Sequence, residues 1–155
     1  MKRLFSVALA VILLITMLPC SALAASETKD TQDTYVVRYD DGSYMEVSID
    51  TFSARVPNTV SGTKKYTFYD SDDNMEWQAK LNATFAYSGA WYTCTTASCN
   101  LTIYDSQWYE ISKSTARSSN NAYAYLTLGR RVLGVTIERP EYTIKLTCDT
   151  SGNLS

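Results

Sequence analysis

Four carboxylates crowd into Asp70-Ser71-Asp72-Asp73-Asn74-Met75-Glu76, and Asp70, Asp72 and Asn74 have the spacing that opens a calcium-binding loop. With Glu76 they are the metal candidate of this chain. The pattern then breaks: Met75 stands where glycine makes the sharp turn, and Leu81 stands where a bidentate glutamate closes the shell. A polar turn accounts for the same residues, since Asp and Asn favour turns for backbone reasons alone. Paired acids can also hydrolyse glycosides, and the sequence offers Asp72 or Asp73 with Glu76, and Asp105 with Glu110. Ser61-Gly62-Thr63-Lys64 has the Ser-x-x-Lys spacing of Ser-Lys acyl enzymes but lacks their Ser-Asp-Asn and Lys-Thr-Gly companions. There is no histidine, which excludes the usual general base at neutral pH, Ser-His and Cys-His nucleophile pairs, and imidazole metal sites. No catalytic residue and no cofactor is assigned.

Aromatic side chains are the other chemical resource, with 12 tyrosines and 3 tryptophans. Tyr123 and Tyr125 fall on the face opposite Ala122, Ala124, Leu126 and Leu128, so burial of the aliphatic side leaves the tyrosines as an outward strip. Such a strip can stack on sugar rings or anchor a protein. It is equally what a strand-favouring residue does when its ring covers neighbouring sheet.

Three cysteines follow the N-terminal segment: Cys94, Cys99 and Cys148. Cys148 shares the strand parity of Tyr142, Ile144 and Leu146, and each upstream cysteine shares the parity of apolar neighbours. Cys94 with Cys148 is the favoured disulfide, because it closes the longest loop; Cys94 with Cys99 and Cys99 with Cys148 stay open, since spacing does not fix connectivity.

The compartment follows from the start of the chain. Met1-Lys2-Arg3 is basic, Leu4 to Leu18 is apolar, and the stretch ending at Ala24 has the small-x-small pattern of signal-peptide cleavage, so residues 1–24 are expected to be a leader. The apolar run is too short to span a bilayer and meets Pro19; Pro19 is also not the small residue that precedes a lipidated cysteine, so no stable membrane anchor is expected. Loss of Lys2 and Arg3 would take the formal charge from −2 to −4, which disfavours nucleic acid and anionic lipid as partners. Lys64-Lys65 and Arg130-Arg131 read as solvated pairs.

The elements that must position these groups are strands. Residues 25–34 are polar and read as a flexible N-terminus. A hairpin over residues 35–49 follows, built on Asp40-Asp41-Gly42. Residues 55–65, with Pro57, Asn58, Ser61 and Gly62, read as a connector. From Trp77 to Tyr87 the apolar residues recur with a period of two, which only a half-buried strand satisfies. Further strands are expected at 66–69, 91–95, 99–104, 108–116, 122–128, 133–139 and 141–148, with Pro140 at an edge or a crossing. The expected fold is all-β: one antiparallel sandwich over residues 35–155, immunoglobulin-like, including the N-terminal hairpin.

Tyr39 to Tyr44, Lys65 to Asp72, the Trp77 strand, Val132-Leu133-Gly134-Val135-Thr136 and the ending Leu146 to Ser155 together resemble an uncharacterised family of small secreted β-rich proteins from Gram-positive bacteria. The resemblance implies export and a single β domain, and it assigns no functional residue. The functional expectation is a secreted, non-enzymatic binding module whose partner is an envelope protein or a glycan. The alternative is a small histidine-free hydrolase with paired carboxylates.

Overall fold

The computed structural model describes residues 29–53 and 57–155. The expected leader, and residues 25–28 of the expected flexible segment, lie outside the described residues. The chain is an all-β sandwich of two antiparallel sheets. One sheet is a five-stranded meander of β1 (Lys29–Arg38), β2 (Tyr44–Ser53), β3 (Thr59–Tyr69), β4 (Met75–Tyr87) and β5 (Tyr92–Ile103). In the other, β7 (Asn121–Val132) pairs along one side with β6 (Trp108–Ser118). Its other side pairs first with β9 (Glu141–Thr147) and then with β8 (Val135–Glu138). The last two act as one edge strand broken at Pro140, which lacks an N–H but whose carbonyl still accepts from Leu128 N at 3.1 Å.

The sheets pack through the alternate residues that the Trp77 pattern picked out. Trp77, Ala79, Leu81 and Phe85 are wholly buried, and Ala122, Ala124, Leu128, Ile144 and Leu146 of the second sheet join them in one core. Each large side chain among these contributes about 1.5–3 kcal/mol by leaving water.

Four expectations differ from this structure. The connectivity differs from the immunoglobulin-like order, in which both sheets are assembled from strands far apart in sequence; here β1 to β5 follow one another in one sheet and β6 to β9 make up the other. Strand β1 begins at Lys29, so within the segment read as a flexible N-terminus Lys29 and Thr31 to Thr34 pair with β2. Of the supposed connector, residues 55 and 56 lie outside the described residues, and residues 59–65 belong to β3, in the middle of a sheet. Gly62 belongs there for space, since a Cβ would collide with Leu154 Cδ1 and come within 3.1 Å of Asp50 O. Lys64 and Lys65 consequently lie within β3, half-buried, and burial lowers the Lys64 pKa. Finally, 91–95 and 99–104 are a single strand with a bulge at Thr95, which the ladder skips between Thr84↔Thr96 and Phe85↔Cys94.

A candidate binding cleft at one end of the sandwich

One end of the sandwich carries a cleft with two lobes that share Asp41, Ser43 and Phe68. The smaller, about 90 Å³, is completed by Asp70, Ser71, Glu76 and Arg130. The larger, about 180 Å³, is completed by Tyr39, Trp108, Glu138 and Tyr142. These residues come from the β1–β2 and β3–β4 turns, the ends of β3, β7 and β8, and the starts of β4, β6 and β9.

The aromatic wall is continuous. Phe68 stacks on Trp77 at 5.7 Å between centroids and meets Trp108 edge-on at 5.7 Å. Trp77 is 4.9 Å from Tyr142, and Tyr39 is 6.0 Å from Phe68. Trp77 is fully buried, and its Nε1–H finds no acceptor among the described residues. Burial raises the Tyr142 pKa, and Tyr39 and Glu138 nearby raise it further.

Glu76 enters this wall because the ladder skips it. Phe68 pairs with Trp77 and Tyr69 with Met75, leaving Glu76 as the extra residue of a β-bulge. Bulges re-aim side chains in this way. Glu76 is only 6% exposed despite sitting next to the inward Trp77. Its backbone carbonyl accepts from Tyr104 N at 2.8 Å and Asp105 N at 3.1 Å, and Asp105 O accepts from Trp108 N at 3.1 Å. That loop delivers the Trp108 indole N–H to the Glu76 carboxylate, which accepts its hydrogen bond. Burial raises the Glu76 pKa, against the lowering by the Trp108 bond and by Arg130.

Arg130 is the counter-charge. Its guanidinium lies 3.7 Å from Glu138 and 5.8 Å from the Trp108 ring centroid. Far from being a solvated pair, Arg130 lines the cleft, while Arg131 on the other face lies 4.1 Å from the Tyr109 ring centroid.

The metal candidate resolves into a turn. Asp70 Oδ1 accepts from Asp72 N at 2.9 Å and Asn74 N at 2.8 Å, and Oδ2 accepts from Asn74 Nδ2 at 2.9 Å. Asp149 does the same at the other end of the molecule, accepting from Ser151 N, Asn153 N and Asn153 Nδ2, each at 2.8 Å. The fourth residue of each turn has positive φ, Asp73 at 65° and Gly152 at 89°. The second turn has no other acid, so an Asp-x-x-x-Asn frame explains both. These bonds hold the Asp70 and Asp149 pKa values below the ordinary range, as Ser43 does for Asp41. Asp70 and Glu76 share the small lobe, whereas Asp72 and Asn74 do not line it. Among the described residues, no three His, Cys, Asp or Glu side chains could hold a metal ion.

Of the other candidates, Tyr123 and Tyr125 lie side by side on the outer face of β7, their rings 6.0 Å apart and nearly parallel, with Tyr125 45% exposed. Asp105 Oδ1 is held by Gln107 N, and Glu110 pairs with Lys113 at 3.0 Å. The three described cysteines are free thiols, so the expected Cys94–Cys148 disulfide is not formed in this structure. Cys94 and Cys148 are buried and flank the β6–β7 turn, where Cys94 N donates to Ser119 O and Cys148 N to Asn120 O. Burial, then Asp149 and Cys94, push the Cys148 pKa to about 11.

Tyr39, Asp41, Phe68, Arg130, Glu138 and Tyr142 were not legible as a site in the sequence. Their one signal was parity: Phe68 is an apolar residue at a strand end. Comparison with protein-family models, with curated proteins and with solved structures returns no match.

Proposed function

We propose that this protein is a secreted, non-enzymatic binding module that meets a surface protein or glycan with the cleft end of its sandwich. The carrying observation is the continuous aromatic wall of Tyr39, Phe68, Trp108 and Tyr142, opening to solvent beside charged groups. Aromatic clusters of this kind, rimmed by polar groups, are where binding free energy concentrates. In an exported protein, Cys94 and Cys148 would close a disulfide, two thiols giving two electrons and two protons to an extracellular oxidant.

The hydrolase alternative draws on one observation: Glu76 is raised while Asp41 and Asp70 are lowered, the separation that acid and base roles require. Against it, each of the three is already engaged, Glu76 by the Trp108 indole and both aspartates by their own turns.

The test is capture of surface proteins and glycans by immobilised residues 25–155. Tyr39→Ala is expected to abolish capture and Tyr125→Ala to leave it intact. The reverse pattern would move the contact surface to the β7 strip and refute the cleft. Hydrolysis of a glycan panel, lost in Glu76→Gln, would establish the enzyme instead.

A further inference from the structure

The linings of the two lobes identify what the larger takes. The small lobe holds a cation of this chain, Arg130, among Asp41, Asp70 and Glu76, with the guanidinium against the Trp108 ring. The larger lobe is lined by four rings and the carboxylates of Asp41 and Glu138; Arg130 borders it, 3.7 Å from Glu138, but this one guanidinium stands against four carboxylates across the two lobes, Asp41, Asp70, Glu76 and Glu138, which leaves the region net acidic. An anion would be repelled there. A neutral apolar group would gain contact with the rings but strip water from Asp41 and Glu138 without replacing it. An ammonium group meets both features, since ring faces and carboxylates each attract positive charge. At about 180 Å³ the lobe accepts one such group rather than a whole ligand.

The rim indicates what carries it. Val132 and Val135 form the cross-strand pair beyond Arg130 and Glu138, and therefore share their face. They lead to a hairpin tip where Leu133 is 99% exposed and holds φ +50°, with Val135 64% exposed. Aliphatic surface beside an acidic, aromatic lobe suits a protein segment with a basic residue among apolar ones better than a polysaccharide.

We propose that the larger lobe receives the ammonium group of a lysine side chain on a partner protein, with the Val132–Val135 tip packing against the flanking apolar residues. This rests on the binding reading above and specifies its ligand. The test titrates residues 25–155 with Nα-acetyl-lysine methylamide, following the Trp108 indole N–H by NMR. A parallel titration uses the norleucine derivative, which keeps the stem without the charge. Saturable shifts are expected with the lysine probe, at least ten-fold weaker for norleucine. Glu138→Gln and Asp41→Asn, both at exposed positions and each keeping a carbonyl oxygen in place of the carboxylate, are expected to weaken the lysine probe while the melting temperature stays within a few degrees of the parent. Equal binding of norleucine, or no shift with either probe, overturns the proposal. Saturation by glucosamine but not by the lysine probe overturns it in favour of a glycan. If Tyr39→Ala still abolishes capture while the lysine probe fails, the binding reading stands and only the ligand is wrong.

Discussion

Glu76 gives the sharpest test of how the cleft end is built. Its carboxylate is the acceptor for the buried Trp108 indole, so Glu76→Ala leaves that donor without a partner. An orphaned buried donor together with the loss of a charge-assisted bond costs about 2–3 kcal/mol. For a domain of this size that is a fall of roughly 6–12 °C in melting temperature. Glu76→Gln keeps a carbonyl acceptor and removes the charge that burial penalises, and is expected to stay within about 1 kcal/mol of the parent at pH 7. The pH dependence separates the two effects. Because the folded pKa of Glu76 is raised, the native state holds more protons than the unfolded chain between the ordinary glutamate pKa and the raised one. The parent therefore loses stability as pH rises through that window. Glu76→Gln lacks this slope, so the parent should gain on it as pH falls. Urea denaturation at several pH values measures the difference, with contributions from Asp41, Asp70 and Asp149 common to both proteins. Equal destabilisation by Ala and Gln, or none by Ala, would refute the role assigned to the Trp108 bond.

Three further outcomes follow from the packing. Asp70→Ala and Asp149→Ala should each lower the melting temperature by a few degrees and Asp72→Ala should not. Because both folded pKa values are lowered, each variant should also lose less stability than the parent when pH falls below the ordinary aspartate value. Gly62→Ala should cost about 1–2 kcal/mol through its collision with Leu154, and less in a Leu154→Ala background, as a double-mutant cycle by urea denaturation would report. Under oxidising conditions thiol titration should find one reactive cysteine, Cys99. Reduction should then lower stability by about 2–4 kcal/mol; blockage of Cys99 in place of Cys94 would overturn that pairing.

What the sequence determined by itself was periodic and local. Alternation from Trp77 to Tyr87 and from Ala122 to Leu128 dictates half-buried strands, because a side chain two residues on returns to the same face. Asp40-Asp41-Gly42 dictates a tight turn, closed by Gly42 N donating to Tyr39 O with Gly42 at φ +87°. Residues 66–69 of β3 were legible as a strand, but residues 59–65 were not, because β3 is flanked by β2 and β4, and pairing on both sides fixes its backbone whatever its polar residues prefer. Bulges also defeat parity. The extra residue at Thr95 lets Cys94 and Cys99 both turn inward, and the one at Glu76 turns a carboxylate from the outer face to the cleft. The cleft itself needed the tertiary structure. Tyr39, Phe68, Trp108, Arg130 and Tyr142 come from different strands and turns, and only the stacking of two sheets brings their ends together. A local pattern can say which face of a strand is buried, but not which strand ends will meet.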